Sequence, residues 1–564
     1  MTFTVARCRL CRGMLLISTS GGLRETKSRT IPITMIVDQL LPRSFGALVL
    51  WLLAGLLVKF IINKYANGLN RIPGPWLAGF TDLYRMCIVW GRRPELWHIR
   101  LHEKHGKLVR LGPNAVSVAD PEAIKTIYGL STGYVKSDFY PVQQTIANGR
   151  PLQSLFNTTD EQFHARLRRA VSNAYAMSTL VAFEPLVDTT TVAFLEQLKK
   201  RFAGHSDGEG TCDFGVWLQY YAFDVIGELT YSKRLGFVDR GVDVDHIIGN
   251  LERLLNYVSV VGQLPMLDRI LFKNPIKLWM SKHNLLDSST PVVQFARERM
   301  AGRKDQIEKG ISAKQSGPGP ERRDFLSRFI DARGKDPEFI SEQRVLALTV
   351  ANMFAGSDTT AISLRAIFYN LLMNPSAMSK LLAELAAESE SGRLTKNEDV
   401  GNAGLVKWNE VRELPYLSAV INEALRCHPA AGLPLERVVP SQGLRIDGHH
   451  IPRGTIVGCS AWVIHRDESV FGPNPAEFRP ERWIDASPEQ QAKMRNCLLS
   501  FGSGARTCAG KNVSLLEMYK LVPAVLRTFE IELVDPEKPL VLNNAWFVKQ
   551  SGFRVRLRER EKIL

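Results

Sequence analysis

The chain has 564 residues, of which 45% are hydrophobic and 23% charged. That composition is typical of a globular protein with a large core and excludes a disordered, collagen-like or low-complexity chain. The formal net charge of +15 predicts a polyanion, an anionic membrane surface or an acidic protein as partner, without choosing among them. The eight cysteines are too sparse for a disulfide scaffold and favour a reducing compartment.

The first 44 residues are predicted to be an N-terminal extension. Residues 1–35 carry six basic side chains and one acidic one, Glu25, and weakly resemble a transit peptide. A start codon assigned too early, with translation beginning at Met35, is an alternative explanation. Cys8 and Cys11 lack a second ligand pair, so no zinc site is predicted there.

Residues 45–62 are predicted to form a membrane anchor. They read FGALVLWLLAGLLVKFII, and Lys59 is the only charged residue. About 18 residues at 1.5 Å each approach the ~30 Å hydrocarbon core of a bilayer. A buried core helix is the alternative, but such a helix has no need to be apolar on every face. Two prolines around Gly74 then form a stiff turn, so residues 63–76 are predicted to be a Pro-rich hinge.

Beyond Trp76 the pattern is mainly helical with short extended segments. Residues 203–211 and 302–323 are rich in Gly, Ser or Pro and are predicted to be flexible linkers. Periodicity and turn residues predict helices over 94–106, 159–174, 416–427 and 511–529, and strands within 108–118, 444–451, 455–460 and 553–558.

The strongest predicted helix runs from Ser341 to Asn374. Ser341 is a good N-cap, and Pro375 closes the helix. Its middle, Ala355-Gly-Ser-Asp-Thr-Thr360, places a glycine and three hydroxyl residues where helix propensity disfavours them. Such a departure from local preference is typical of a functional site.

The segment Phe501-Gly-Ser-Gly-Ala-Arg-Thr-Cys-Ala-Gly510 combines several features of a ligand-binding loop. Cys508 stands just before a predicted helix, whose dipole and free N–H groups favour a thiolate. The glycines let the backbone approach a flat ligand, and Arg506 can pair with an anion. A buried cysteine in a turn is the alternative, but every position of F-x-x-G-x-R-x-C-x-G is present.

This loop resembles the haem-binding signature of cytochromes P450, and further motifs of that family precede it in the expected order. Glu423-Ala-Leu-Arg426 resembles its E-x-x-R motif, and Pro480-Glu-Arg-Trp483 its PERF-type motif. Residues 355–360 are similar to its oxygen-activation motif, and Pro73-Gly-Pro75 to its hinge. The resemblance covers Trp76 to the C-terminus. It implies a mainly α fold with small β-sheets, with residues 77–564 as the catalytic domain behind a single N-terminal transmembrane helix.

The resemblance also implies roles for individual residues. Cys508 is expected to be the axial thiolate ligand of the iron of haem b. The other residues expected to bind the cofactor are His164, Arg168, Arg437, Phe501, Gly504, Arg506 and Gly510. The three arginines would meet haem carboxylates. His164 stands where the family often has tryptophan, and a surface histidine is the alternative.

Two further groups of residues follow from the resemblance. Asp358 and Thr359 are expected to be the catalytic acid–alcohol pair that delivers protons, with Gly356 leaving space for oxygen; an Asp-Thr-Thr cap inside a kinked helix is the alternative. Glu423, Arg426 and Arg482 are expected to form a structural triad that supports folding and haem retention.

The implied function is a haem-thiolate monooxygenase that inserts one atom of O2 into a lipophilic small molecule by hydroxylation, epoxidation or demethylation. Because only residues 509–564 follow Cys508, electrons are expected from NADPH–cytochrome P450 reductase, with cytochrome b5 as a further partner and no role for nucleic acid. Pocket walls are expected at 349–355, 430–435 and 545–548.

Residues 134–141 and 155–169 resemble fungal P450s of the pisatin-demethylase-like group, many of which serve secondary metabolism. A single-pass protein of the endoplasmic reticulum membrane, with its catalytic domain facing the cytosol, is expected. The alternatives are a haem-thiolate isomerase or dehydratase that uses no external O2, and a non-catalytic membrane haem protein.

Overall fold

The computed structural model describes residues 45–561 except 148, 204–209, 284, 286–290, 310–323 and 396–404. The predicted N-terminal extension and most of both predicted linkers lie outside the described residues. The linker prediction is wrong for residues 302–308, which continue the helix Pro291–Glu308, because Ala301 to Glu308 are mostly good helix formers that tolerate Gly302.

The N-terminal apolar stretch forms the helix Phe45–Tyr65, none of whose 21 residues is buried. At 1.5 Å per residue it is roughly 31 Å long, enough to cross a bilayer. Among the described residues, a second helix, Glu342–Met373, is also long and apolar enough to cross a membrane, but 72% of its most apolar stretch is buried inside the protein. It is therefore a core helix, and Phe45–Tyr65 is the candidate membrane span. Residues up to Lys59 and residues from Phe60 form two separate units.

Helices make up most of the second unit. The longer ones after the N-terminal helix are Leu83–Trp90, Pro94–His105, Glu161–Val171, Glu184–Leu198, Phe214–Tyr231, Ile247–Val261, Pro275–Lys282, Pro291–Glu308, Phe325–Lys335, Glu342–Met373, Pro375–Glu390, Pro415–Cys427, Pro488–Cys497 and Lys511–Thr528. Shorter ones are Ala123–Tyr128, Phe139–Val142, Met177–Val181, Phe237–Arg240, Met266–Ile270, Trp408–Val411, Ala461–Ile464, Glu468–Phe471 and Arg482–Asp485.

The strands are short and form small sheets. They are β1 Leu108–Gly112, β2 Ala115–Val118, β3 Val135–Lys136, β4 Ile146–Ala147, β5 Arg150–Pro151, β6 Thr211–Asp213, β7 Arg437–Val438, β8 Leu444–Ile446, β9 His449–Ile451, β10 Ile456–Gly458, β11 Phe529–Leu533, β12 Val541–Ala545, β13 Phe547–Ser551 and β14 Arg554–Glu559. The largest sheet has the order β1-β2-β10-β7-β3, and a second sheet has the order β11-β14-β6. The remaining strands pair as β12-β13, β4-β5 and β8-β9.

Glu342–Met373, called the central helix below, crosses the core of this unit. Ser341 caps it, since its Oγ accepts a hydrogen bond from the backbone N–H of Arg344, as predicted. The helix Phe214–Tyr231 lies beside it and is buried along almost its whole length. The buried guanidinium of Arg365 joins the two helices by donating from Nε to the carbonyl of Gly215 at 2.8 Å.

The Pro-rich segment before Trp76 packs against β1. The backbone N–H of Arg110 donates to the carbonyl of Pro73 at 2.8 Å. Gly74 has no room for a side chain, because a Cβ there would lie 2.5 Å from the carbonyl oxygen of Arg110. Its glycine is therefore required by close backbone packing.

Candidate functional site

A cavity of about 330 Å³ lies between the central helix and the cysteine loop, residues 501–510. Gly356 and Thr359 line it from the central helix, and Cys508 lines it from the loop. Parts of the three predicted wall segments, 349–355, 430–435 and 545–548, also line it. The sequence therefore identified the main walls of this cavity.

The cysteine loop is closed by its own hydrogen bonds. The backbone N–H of Cys508 donates to the carbonyl of Phe501 at 2.8 Å, and Thr507 Oγ1 donates to the carbonyl of Gly504 at 2.7 Å. The helix Lys511–Thr528 begins directly after Gly510. A Cβ on Gly510 would meet only the Cys508 sulfur, at 4.0 Å, so this glycine leaves the space beside the sulfur open.

The structure gives a packing reason for glycine at position 504. Its φ is +65°, and a Cβ there would lie 1.6 Å from the carbonyl oxygen of Tyr128. The residue thus allows the loop to pack against the helix Ala123–Tyr128, and its predicted approach to the cofactor stays a prediction. Gly356 is similar, since a Cβ there would lie 2.8 Å from the Ile226 side chain of the neighbouring helix.

The protonation of Cys508 reflects two opposing effects. Burial raises the pKa of its thiol, while the backbone N–H groups of Gly510 and Lys511 and the charge of Arg168 act to lower that pKa. Cys508 is nevertheless exposed to the cavity, and its thiolate form stays a prediction. A coordinated metal ion deprotonates a thiol outright.

The cavity wall has a strong excess of positive charge. Its cationic residues are Lys136, Arg168, Arg437 and Arg506, and no described residue that lines it is Asp or Glu. Lys136 and Arg437 stand directly opposite each other in the β3–β7 register. The ammonium of Lys136 lies 4.1 Å from the ring centroid of Tyr140 and 4.3 Å from that of Phe156. Burial and the charges of Arg437 and Arg506 place the pKa of Lys136 well below its usual value.

The predicted arginines all reach this cavity, each with a protein partner. Arg506 forms an ion pair with Glu161, with Nη2 and Oε1 2.7 Å apart. Arg168 donates to the carbonyl of Thr507 at 3.0 Å, and Arg437 donates to the carbonyl of Glu436 at 2.9 Å. Arg168 therefore ties its helix to the cysteine loop.

His164 lies on the wall as a buried residue with 4% exposure, and the alternative of a surface histidine is wrong. Burial and the neighbouring charges of Arg506, Lys136, Arg168 and Arg437 lower the pKa of its imidazole to about 3. The ring is consequently neutral at physiological pH and adds no charge to the cationic wall.

The hydroxyl residues in the middle of the central helix bond back to the helix itself. Thr359 Oγ1 donates to the carbonyl of Ala355 at 2.7 Å, and Ser357 Oγ donates to the carbonyl of Met353 at 2.8 Å. Such bonds to the residue four positions earlier absorb hydroxyl groups inside a helix. The helix thus continues through a segment that its propensities disfavour.

Asp358 and Thr359 face different surroundings. Thr359 lines the cavity, whereas the buried carboxylate of Asp358 accepts a hydrogen bond from Gln219 Nε2 at 2.5 Å. Burial raises the pKa of Asp358, and the charges of Lys549 and Arg365 and the Gln219 hydrogen bond oppose that rise.

Glu423, Arg426 and Arg482 lie together, away from the cavity. Arg426 donates twice to the Glu423 carboxylate at 2.8 Å, and Arg482 Nε donates once at 2.8 Å. Trp483 Nε1 and the backbone N–H of Arg479 complete five hydrogen bonds to this carboxylate. Burial alone would raise the pKa of Glu423, but the arginine hydrogen bonds and charges lower it overall.

Comparison with known proteins gives the same assignment as the cysteine loop. The sequence model of cytochrome P450 matches residues 80–555. The chain belongs to the cytochrome P450 family. It is 43% identical over 476 residues to a cytochrome P450 monooxygenase of Aspergillus terreus, covering 84% of this chain and 93% of that one.

Two further relatives agree. The chain is 40% identical to the cytochrome P450 monooxygenase cicH of Emericella nidulans, covering 88% of this chain and 95% of cicH. It is 38% identical to the cytochrome P450 monooxygenase mpaDE of Penicillium brevicompactum, covering 90% of this chain and 58% of mpaDE. The predicted P450 fold and the predicted enzyme class, cytochrome P450 monooxygenase, are confirmed.

The P450 family implies a haem iron, and the cavity fits such a group. Haem has an apolar ring with two carboxylates, and the cavity combines apolar walls with four cationic side chains and no carboxylate of its own among the described residues. Lys136 in particular is buried with like-charged neighbours, an arrangement that an anionic ligand relieves. Cys508 supplies a sulfur on the same wall.

Sequence reasoning missed Lys136 and Trp546 on the cavity wall, and Glu161 as the ion-pair partner of Arg506. Lys136 was noticed only within a segment that resembles fungal P450s, and its pairing with Arg437 depends on a strand register between distant segments. Trp546 lay in a predicted wall segment without being singled out, and nothing in the sequence pairs Glu161 with Arg506.

Proposed function

We propose that this P450 is a haem-thiolate monooxygenase that inserts one oxygen atom into a lipophilic small molecule by hydroxylation, epoxidation or demethylation. The observation that carries the proposal is that Cys508 and Thr359 line one cavity, whose walls are mostly apolar. Bound haem supplies the oxidative chemistry, in which one atom of O2 enters the substrate and the other is reduced to water with two electrons from NADPH.

The chain's own residues hold the cofactor and handle protons. Cys508 Sγ is the iron ligand, and Arg168, Arg437 and Arg506, together with Lys136, bind the haem carboxylates. His164, Phe501 and Gly510 line the space beside them. Gly504 acts indirectly, by holding the loop against Tyr128.

Asp358 and Thr359 form the proton relay. The hydroxyl hydrogen of Thr359 is donated to the carbonyl of Ala355, so its Oγ1 can accept a hydrogen bond from a water molecule in the cavity and hold that water in place. The raised pKa of Asp358 brings its carboxyl closer to the pH at which it takes up and releases protons. Gln219, on the neighbouring helix Phe214–Tyr231, holds that carboxyl by a hydrogen bond.

Electrons come from a separate NADPH–cytochrome P450 reductase, with cytochrome b5 as a second donor. Lys511 directly follows the cysteine loop and is exposed, as is Arg169 on the helix that Arg168 ties to the loop. Exposed cations near the loop suit an acidic docking face on the partner.

The exposed apolar helix Phe45–Tyr65 supports a single-pass anchor in the endoplasmic reticulum membrane, with the catalytic domain in the cytosol. The relatives named above come from three fungal species, which supports a role in fungal secondary metabolism.

Reconstitution with reductase and NADPH tests the reaction type. A monooxygenase consumes O2 and NADPH with substrate present, whereas an isomerase or dehydratase converts substrate without either. Thr359→Ala is expected to lower the yield of product per NADPH at least several-fold by removing the relay hydroxyl. Thr360→Ala is the matched control, because the Thr360 hydroxyl is engaged in a hydrogen bond with Ser514 Oγ at 2.8 Å. This variant is expected to leave the yield unchanged. Full yield from Thr359→Ala would refute the relay.

A further inference from the structure

Ser137, Glu436 and Arg85 form a buried polar network behind the cavity wall. Ser137 Oγ donates to Glu436 Oε2, and Arg85 Nη2 donates to Glu436 Oε1 at 2.8 Å. The side chains of Arg85 and Glu436 are only 7% and 13% exposed, and Ser137 is buried. These three residues do not line the cavity, but Ser137 and Glu436 each stand next in sequence to a cation that does, Lys136 and Arg437.

Lys136 and Arg437 lie directly opposite each other on one rung of the strand pair β3–β7. Each of these strands is only two residues long, so few backbone hydrogen bonds hold the pairing. Like charges directly opposite each other in a sheet destabilise it. The two cations therefore repel each other across a strand pair that has little backbone support of its own.

The next rung of the same pairing carries a favourable contact. Continuing the register places Ser137 opposite Glu436, and successive side chains along a strand project to opposite faces. The hydrogen bond between Ser137 Oγ and Glu436 Oε2 thus joins the two strands on the face that points away from the cavity. A cross-strand contact of this kind stabilises the pairing and offsets the repulsion between the two cations.

Arg85 fixes the Glu436 carboxylate on that face. Its guanidinium also donates from Nε and Nη2 to Gln263 Oε1, at 3.1 and 2.9 Å. Gln263 Nε2 donates in turn to the carbonyl of Ser259 at 3.0 Å, at the end of the helix Ile247–Val261. The ion pair with Arg85 neutralises the buried carboxylate and holds it in place for the bond from Ser137.

We propose that Ser137, Glu436 and Arg85 are positioning residues for the cofactor: they hold Lys136 and Arg437 side by side, against their mutual repulsion, as a joint binding site for the haem carboxylates. This inference rests on the proposed function, which assigns Lys136 and Arg437 to those carboxylates. The three residues act through the strand pair and are not themselves ligands of the cofactor.

The test measures the rate of haem transfer from the haem-loaded full chain to apomyoglobin. Glu436→Gln, which loses the ion pair, is expected to speed transfer about 10-fold, and Ser137→Ala, which loses the cross-strand hydrogen bond, about 5-fold. In a Lys136→Met background the repulsion is gone, so each substitution is expected to change the rate less than about 2-fold.

Glu481→Gln is the matched control. The Glu481 carboxylate likewise pairs with a cation and accepts from a hydroxyl, Lys380 at 2.7 Å and Tyr416 at 2.8 Å, but it does not line the cavity. This variant is expected to change the transfer rate less than about 2-fold.

Two results would overturn the inference. Equal acceleration in the wild-type and Lys136→Met backgrounds would show a general structural role, and an unchanged rate in Ser137→Ala would show that the cross-strand bond does not position the cations. If Glu436→Gln does not load haem, Ser137→Ala decides alone, because it keeps the ion pair with Arg85. Failure of the proposed function is read separately, from the carbon monoxide spectrum of the wild type and from an unchanged transfer rate in Lys136→Met itself.

Discussion

Replacing Glu423 by glutamine tests whether the buried triad supports the fold. Its carboxylate is 0% exposed and accepts five hydrogen bonds. In Glu423→Gln one carboxylate oxygen becomes an NH2 group. If that group replaces Oε2, it faces the donors Arg426 Nε and Trp483 Nε1; if it replaces Oε1, it faces three donors. At least two donors lose their acceptor in either orientation.

The expected cost follows from the two guanidiniums that remain. Removing one partner of a buried ion pair costs about 3–5 kcal/mol, because the other charge stays buried without compensation. Domain stabilities are about 5–15 kcal/mol, so this loss is a large share of the total. Arg426 also donates to the carbonyls of His465, Pro475 and Glu477, which secure it in place and prevent the charge from moving to solvent.

The pH dependence of stability has a definite sign. Because the pKa of Glu423 is lowered in the folded protein, its contribution is fully present above the pKa of the unfolded chain, about 4.3. The contribution is lost as pH falls through the lower, folded value. The wild type is therefore expected to lose stability in acid, and Glu423→Gln is expected to lose less over the same range.

Urea unfolding of the detergent-solubilised full chain measures the loss of stability and its pH dependence. Tryptophan fluorescence reports unfolding, and the Soret band reports haem retention. Glu481→Gln is the matched control, since Glu481 pairs with Lys380 at 2.7 Å near the surface, where its side chain is 26% exposed. That variant is expected to lose at most about 1 kcal/mol. A Glu423→Gln protein within about 1 kcal/mol of the wild type would refute the reasoning.

Two further predictions concern the loop and the cationic wall. Gly504→Ala is expected to prevent stable folding or haem loading, because its Cβ would lie 1.6 Å from the Tyr128 carbonyl oxygen. Gly392→Ala is the control, since Gly392 has a φ of +75° with open space around it, and it should cost only about 1 kcal/mol of stability. Equal melting temperatures of the two variants would contradict this prediction. Lys136→Met is expected to raise the melting temperature of haem-free protein by removing a buried charge, yet to speed haem transfer to apomyoglobin several-fold. An unchanged transfer rate would remove Lys136 from the cofactor site.

The sequence predicted what depends on local patterns. The central helix begins after its predicted cap Ser341 and ends at Met373, and the helix after the cysteine loop ends at Thr528, one residue before its predicted end. Caps, prolines and apolar periodicity act over a few residues, so they can be read without the fold.

The sequence could not predict what depends on contacts between distant segments. The packing of Gly504 against the carbonyl of Tyr128, which also requires glycine, is not encoded in the loop itself. Burial acts to raise the pKa of Cys508, and the charge of Arg168, from a helix about 340 residues earlier, acts to lower it. Lys136 and Arg437 meet through a strand pairing about 300 residues apart in sequence, which no local pattern encodes.

The most direct test of the central claim is the spectrum of the reduced, haem-loaded protein under carbon monoxide. If Cys508 is the thiolate ligand, the wild type shows the red-shifted Soret band of a thiolate-bound carbonyl complex, and Cys508→Ala lacks that band. Cys87→Ala, which removes an exposed thiol from another part of the chain, keeps the band. A Cys508→Ala protein that retains the red-shifted band would contradict the account.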